Sequence, residues 1–277
     1  MHGPQLGPSA LVGPLCAALA LAVVAPSPAL ACSVCGCGDA RESVTQMTLR
    51  PVIVYSPIEE LNLVLQVPVV LKDWQLASPV AATSATRAGL GDIDVGARWF
   101  FWRLTSFESQ SRQALGLSAG IALPTGPIGA SEDGVRLDDH AQVGTGGFAP
   151  YVGASYAFHQ DPWNLFVSLT GRLRTRNSYG YRYGDALTWS VRADVRVVDP
   201  LALELALDGR YAAFDTVDGQ DQANTGGLVL AASPGLAVNV AGDVWLHARV
   251  QIPFATSLHG DQSVGPIYLA GVQVLVR

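Results

Sequence analysis

From about residue 44 onward the chain alternates apolar and polar positions with period two, segment after segment. The clearest stretch is 201–213, where Leu201, Leu203, Leu205, Leu207 and Tyr211 share one face and Glu204, Asp208 and Arg210 the other. Before it, Leu187, Trp189, Val191, Ala193, Val195 and Val197 alternate with Thr188, Ser190, Arg192, Asp194 and Arg196. Residues 163–176 set Trp163, Leu165, Val167, Leu169 and Leu173 against Asn164, Ser168, Thr170, Arg172, Arg174 and Arg176. In 244–254, Val244, Leu246, Val250, Ile252 and Phe254 oppose Trp245, His247, Arg249 and Gln251. Shorter or less polar versions lie at 45–55, 61–72, 91–102, 114–124, 148–159, 228–240 and 267–277.

These eleven segments run mostly 10–14 residues. Strands of soluble proteins average about 5–6 residues, whereas a tilted strand crossing a bilayer needs about 9–11. One face of each segment is aliphatic and aromatic, and the other carries a limited set of charges. That is the inside-out pattern of a transmembrane barrel, apolar toward lipid and polar toward a lumen. Trp99, Phe101, Phe148, Phe158, Trp163, Phe254 and Tyr268 suit interfacial girdles. The connections alternate in length, which is a second, independent signal. Those at 160–162, 198–200 and 240–243 are tight, and those at 125–147, 177–184, 215–225 and 256–266 are longer and rich in Gly, Asp, Ser and Tyr. The pattern predicts an all-β fold, an up-and-down antiparallel transmembrane β-barrel of about 12 strands. Single-chain bacterial barrels carry even numbers, so one strand beyond the eleven is expected near the N-terminus. The environment this implies is the lipid of a Gram-negative outer membrane, reached through the barrel-assembly machinery.

Composition sharpens the picture. Of 277 residues 49% are hydrophobic and only 14% charged, against roughly 25% charged in soluble domains. The apolar content excludes disorder. Beyond the first thirty residues no apolar run approaches the roughly 18 of a membrane helix. A net charge of −6 argues against nucleic acid as a partner.

Residues 1–31 read as an export signal: an apolar stretch from Leu11 to Val24, a proline-broken region, then Ala29-Leu30-Ala31 as a small-x-small cleavage pattern. Cleavage after Ala31 would make Cys32 the new N-terminus. The mature chain then divides into a Cys-rich segment, 32–43, and a barrel, 44–277. Cys32, Cys35 and Cys37 lie within six residues. They could hold a soft metal, pair as a disulfide in an oxidising compartment, or supply a lipid anchor at Cys32 plus one disulfide. A structural zinc site normally takes four ligands, and no His lies nearby to complete one; a terminal tag without catalytic role is the plainer alternative.

The residues Gly89-Leu90-Gly91-Asp92-Ile93-Asp94-Val95-Gly96-Ala97-Arg98-Trp99, Ala122-Leu123-Pro124-Thr125-Gly126 and Tyr183-Gly184-Asp185 resemble a family of outer-membrane transporters named for the meta-pathway of phenol degradation. The start Cys32-Ser33-Val34-Cys35-Gly36-Cys37-Gly38-Asp39 looks like that of related exported barrels. The resemblance covers most of 32–277 and implies a roughly twelve-stranded barrel with a transport role, no cofactor and no catalytic residues. Relatives carry a further strand ahead of the segment that here begins Glu42-Ser43-Val44.

The candidate chemistry is lumen charge. Arg50, Lys72, Arg98, Arg172, Arg174, Arg176, Arg192, Arg196, Arg210 and Arg249 fall on the inward parity, with Asp92, Asp94, Asp194, Glu204 and Asp208. Ten cations against five anions predict a lining that concentrates anions, and arginine grips carboxylate and phosphate bidentately. The expected function is a porin-like passage for small anionic or neutral solutes, with Arg172, Arg174 and Arg176 as its densest part. The alternative is a closed structural or binding barrel that acts through its external loops and Cys-rich start. The acidic loop residues Glu132, Asp133, Asp138, Asp139, Asp215, Asp218 and Asp221 are expected to be solvated. The Gly-x-Ser-x-Gly match Gly116-Leu117-Ser118-Ala119-Gly120 falls inside an alternating segment and not at a strand-to-helix elbow, and no His-Glu-x-x-His pair occurs, so an enzyme is not expected. His140 beside Asp138 and Asp139 is the one cluster worth testing for such chemistry.

Overall fold

The structure, a computed structural model, describes residues 16–25, 42–77 and 82–276. The expected cleavage site at 29–31 and Cys32, Cys35 and Cys37 lie outside the described residues.

The chain forms strands β1 (Cys16–Ala25), β2 (Glu42–Ile58), β3 (Leu61–Gln66), β4 (Val69–Ala77), β5 (Ala82–Leu90), β6 (Ile93–Ser106) and β7 (Ser111–Leu123). Two short strands, β8 (Ser131–Glu132) and β9 (Val135–Arg136), and a 3-10 turn (Asp139–Ala141) follow. Then come β10 (Ala149–Gln160), β11 (Trp163–Arg172), β12 (Tyr181–Arg182), β13 (Ala186–Val198) and β14 (Leu201–Ala212). The remainder is β15 (Thr216–Val217), β16 (Gln220–Asp221), β17 (Gly227–Ala241), β18 (Val244–Leu258) and β19 (Ile267–Val276).

All wall pairings are antiparallel, and they run β1-β19-β18-β17-β14-β13-β11-β10-β7-β6-β3-β2. β1 also pairs with β2, so the order returns on itself as a ring of twelve. Ten of the eleven predicted segments each fall on one of these strands; the eleventh, 61–72, breaks at 67–68 into β3, which belongs to the ring, and the start of β4, which does not. The twelfth is Cys16–Ala25, inside the expected export signal. Every backbone group in such a ring finds a partner in a neighbouring strand, which is what a bilayer demands of a β structure. Above the membrane band the first half of β2 pairs with β4 and β4 with β5. This three-stranded extension rises beyond the ring on the side of the long loops.

Turns at one end are tight. Two-residue links join β2 to β3, β10 to β11, β13 to β14 and β17 to β18. In the last, Gly242 holds φ +46, the left-handed first position that two-residue hairpins favour. The other end carries the long segments 124–148, 173–185, 213–226 and 259–266. The outer face is a belt of exposed apolar side chains, among them Ile53, Leu65, Val95, Leu117, Val152, Leu169, Val191, Leu203, Leu205, Leu207, Leu246 and Ile252. Trp99, Phe101, Phe148, Trp163, Phe254 and Tyr268 are exposed on the surface as well. No sheet-on-sheet core exists to bury them. Among the described residues the buried hydrophobic cluster packs Val44, Trp74 and Ala85 of the extension against Leu137 and Ala141 of the longest loop.

Candidate functional site: the lumen and its cap

The inward parity of β6, β10 and β11 meets in a chamber of about 600 Å³, which Arg50, Arg98, Arg172, Arg174 and Arg210 line together with Asp92 and Asp94. Asp94 is its hub. Arg172 Nη2 lies 2.9 Å from one carboxylate oxygen, and Tyr151 donates its hydroxyl to the other at 2.8 Å. The Arg172 guanidinium also sits 4.7 Å from the centre of the Tyr151 ring. Tyr151 can lie flat against the wall because Gly96 and Gly120 face it. A Cβ on either would stand 2.2 Å or 2.4 Å from its ring and hydroxyl atoms. Phe166 projects from β11 with Arg98 and Arg192 at 5.6 Å and 5.9 Å from its ring centre, both within cation–π range.

A second cavity of about 420 Å³ adjoins the first and shares Thr188 and Arg210 with it. Arg192, Arg210, Arg249 and Asp208 contribute its charge, while Val229, Pro253, Ile267 and Leu269 give it an aliphatic side. Asp208 accepts from Ser190 Oγ at 2.7 Å and from Ser233 Oγ. Toward the tight-turn end, Arg192 pairs with Asp194 at 3.3 Å and His247 Nδ1 lies 3.2 Å from Glu204.

Over the mouth the long segments interlock rather than extend into solvent. Lys72, on β4, donates to the carbonyls of His140 at 2.8 Å and Gln142 at 2.5 Å, stapling the 124–148 segment to the three-stranded extension. Asp92 receives Gly126 N, Thr145 N and Thr145 Oγ1, which closes the base of the same segment. Asp139 is buried and takes Arg136 through both nitrogens of its fork, at 3.0 Å and 2.9 Å, plus Asn177 Nδ2 at 2.8 Å. Asp215 is 3% exposed. Its carboxylate accepts Tyr181 OH at 2.5 Å and Gly184 N at 2.6 Å, with His140 Nε2 3.0 Å away. Burial alone would push the Asp215 carboxyl up. The hydrogen bond and charge of His140, with Tyr181 and Gly184, outweigh that and hold it below the usual carboxylate range. Tyr183 OH donates to the Asp139 carbonyl at 2.7 Å. Three loops distant in sequence thus share one buried polar node.

This corrects two expectations. Asp139 and Asp215 are not solvated loop carboxylates; Arg136 of the same loop and Asn177 of the next compensate the burial of Asp139, and donors of two neighbouring loops that of Asp215. His140 does not form its cluster with the adjacent acids. Asp138 accepts the His140 backbone N–H at 2.8 Å as a cap, and the imidazole turns to Asp215 and Tyr181. Of the expected arginine ladder, Arg172 and Arg174 line the chamber. β11 ends at Arg172, so Arg176 stands in the loop, half exposed, 3.7 Å from Asp218. Arg196 stands at the tight-turn rim, against Asp161 and Asp199. Arg98, Arg192, Arg210, Arg249, Asp194, Glu204 and Asp208 face the two cavities or the cluster beneath them. Lys72, expected among the lumen cations, instead sits on β4 outside the ring, where it anchors the 124–148 segment; Tyr151 and Phe166 escaped the sequence reading. Glycines on the polar parity at 96 and 120 were the available hint of a bulky inward neighbour.

A family model described as "Putative MetA-pathway of phenol degradation" matches residues 39–259. Among solved structures, an outer membrane channel of Pseudomonas putida F1 is similar over 98% of this chain and 100% of its own, with a TM-score of 0.66 at 13% identity. The β domain of the Bordetella autotransporter BrkA is similar over 95% of this chain and 99% of its own, with a TM-score of 0.47 at 11% identity. None of the curated proteins compared matches the chain. The fold is that of an outer-membrane β-barrel.

Proposed function

We propose that this chain, which belongs to the family described as "Putative MetA-pathway of phenol degradation", is a passive outer-membrane channel whose arginine-lined lumen favours small anionic solutes over cations and lets small neutral ones pass. The observation that carries the reading is the chamber beneath the cap. Five arginines line it against two aspartates, and one of these, Asp92, has its oxygens committed to loop donors. Among the described residues Arg50, Arg98 and Arg249 stand more than 4.0 Å from any carboxylate oxygen. Low-dielectric walls focus the field of such groups, so a mobile anion entering the lumen gains what a cation loses. Arg172 and Arg98 lie against aromatic faces, which fixes each fork in place to meet a carboxylate or phosphate.

The test is a planar bilayer with a potassium chloride gradient across the purified protein. A reversal potential on the chloride side is expected. A potential on the potassium side refutes the anion reading. A stable, heat-shiftable barrel without conductance supports the second reading, a closed barrel that acts through its loops. The node of His140, Tyr181 and Asp215, together with the Lys72 staple, favours that alternative, because it seats ordered loop mass over the mouth.

A further inference from the structure

We propose that the mature barrel closes on eleven strands, by parallel pairing of β2 with β19, once the export segment that supplies β1 is removed. The inference rests on the export reading of residues 1–31 and is independent of what the lumen conducts.

Three observations carry it. First, β1 is Cys16-Ala-Ala-Leu-Ala-Leu-Ala-Val-Val-Ala25, with no polar residue at either parity. Every other wall strand sets at least one polar side chain on its inward parity, so β1 has the composition of a signal core and not of this wall. Second, β1 runs antiparallel to both β2 and β19, which makes those two strands parallel to each other. Their faces already agree. Leu19 partners both Ile53 and Val274, Leu21 both Pro51 and Val272, and Val23 both Leu49 and Ala270. Bringing the two edges together without slip therefore keeps lipid-facing residues outward on each. Third, the chain left ahead of β2 is too short to replace β1. A hairpin from Cys32–Arg41 that spends two residues on its turn would run out opposite Leu49, whereas β1 covers Thr48 to Ser56.

Two unpaired edges of nine residues cannot remain open in hydrocarbon, where each orphaned N–H or C=O is costly. Both edges belong to one barrel and lie one strand-width apart on either side of the gap, so closing it within the chain needs only a slightly tighter ring; diameter scales roughly with strand number. An up-and-down barrel with an odd number of strands necessarily has one parallel pair. Single-chain bacterial barrels carry even numbers, but a mitochondrial barrel closes on nineteen strands, so an odd count is physically available and would set this chain apart from the bacterial pattern.

Distance decides the matter. With β1 between them, Ile53 and Val274 stand about 10 Å apart, two strand spacings; paired directly, about 5 Å. A disulfide needs Cα atoms about 4.4–6.8 Å apart. The experiment has two parts on protein isolated from outer membranes. The intact mass of the unsubstituted chain is measured. Separately, Ile53→Cys is combined with Val272→Cys or with Val274→Cys in a background of Cys32→Ser, Cys35→Ser and Cys37→Ser, oxidised in the membrane, and run on non-reducing gels. Both side chains of each pair lie on the lipid-facing parity, where substitution leaves the lumen untouched. The expected result is a mass lacking residues 1–31 and an intramolecular cross-link in at least one pair. A mass that retains residues 16–25 overturns the proposal, because β1 then stays in the wall. A processed mass with neither pair cross-linked also overturns it, because the seam is then not β2 against β19.

Discussion

The outward assignment of the apolar face is open to a direct energetic test at Leu205. This residue is the fifth of twelve in β14 and 54% exposed, with Ala193 of β13 and Pro234 of β17 as its cross-strand partners. Leu203 and Leu207 flank it on the same face and are equally exposed. None of these partners carries charge or a hydrogen-bond donor. In water such a site would tolerate Leu205→Arg at almost no cost, since surface substitutions stay within about 0.5 kcal/mol. In hydrocarbon the guanidinium must be desolvated or must snorkel, and near the midplane this costs about 2–4 kcal/mol. That is a factor of roughly 30 to 1,000 in the folding equilibrium. Val197, also outward and exposed, is one residue from the end of β13 at the tight-turn rim. Val197→Arg should cost about 0–1 kcal/mol, because the depth dependence falls to that near the interface. The assay is guanidinium-driven unfolding of the barrel in phospholipid vesicles. Equal stability of the two variants, within about 0.5 kcal/mol, would refute a lipid-facing β14 and with it the lumen assignment of Glu204, Asp208 and Arg210.

Replacing Arg172, Arg174 and Arg176 by Gln together should move the bilayer reversal potential toward zero with little loss of folding. Arg176→Gln alone should leave it unchanged, and a shift there equal to that of Arg172→Gln would remove the chamber from the argument. Tyr151→Phe deletes one hydrogen bond to Asp94 and should lower stability by about 1 kcal/mol in the same vesicle assay; no loss would mean that Tyr151 merely fills space over Gly96 and Gly120. The Asp215 carboxyl is held below its ordinary value in the folded cap, so its contribution is complete above the unfolded pKa near 3.9 and is lost as pH falls through the lower folded value. Hydrogen exchange over 173–185 and 213–226 should accelerate in that acid window, and Asp215→Asn should show the fast exchange already at pH 7. Lys72→Met frees the carbonyls of His140 and Gln142 and should raise conductance or its noise; unchanged current would show that the 124–148 segment does not obstruct the path.

Much of the wall was legible because a barrel strand writes its two environments into alternate residues. The segments around Leu201–Tyr211 and Leu187–Val197 could be read almost to their ends, since both faces carry contrasting side chains. β1 was illegible for the opposite reason: after Cys16, Ala, Leu and Val at every position leave no alternation to read. The ladder at 172–176 shows a different limit. The alternation of Arg172, Arg174 and Arg176 continues past the strand, but β13 begins at Ala186, opposite Arg172, so residues after 172 have no partner strand on that side and keep only bonds such as Leu173 N to Pro150 O on the other. Periodicity reports a face and is silent about where the partner stops. The cap was beyond reach because its node joins His140 and Tyr181 to Asp215, positions far apart in sequence whose surroundings carry no alternation. Acidic, glycine-rich loops look solvated until the donors that meet them are known.

The two halves of the lumen differ in how their charges are spent, and that difference locates selectivity. Near the tight turns, Arg192 meets Asp194 and His247 meets Glu204. Arg192 and Arg249 there lie near Asp194 and Glu204, two cations against two anions, so the stretch is close to balanced, and these contacts tie strands together more than they bias a passing ion. Under the cap Arg172 is matched by Asp94, while Arg50 and Arg98 have no carboxylate oxygen within 4.0 Å among the described residues and turn their charge toward the chamber. A solute that crosses from the loop side therefore meets the cationic stretch first and the balanced stretch second. Selectivity should then respond to Arg50→Gln and Arg98→Gln, which leave no carboxylate orphaned. It should respond weakly to Arg192→Gln, where the freed Asp194 carboxylate lies in the balanced stretch beyond the chamber. Reversal potentials for the three single variants decide it: if Arg192→Gln shifts the potential as much as Arg50→Gln, the charge that selects is distributed along the whole lumen and the chamber beneath the cap has no special part in it.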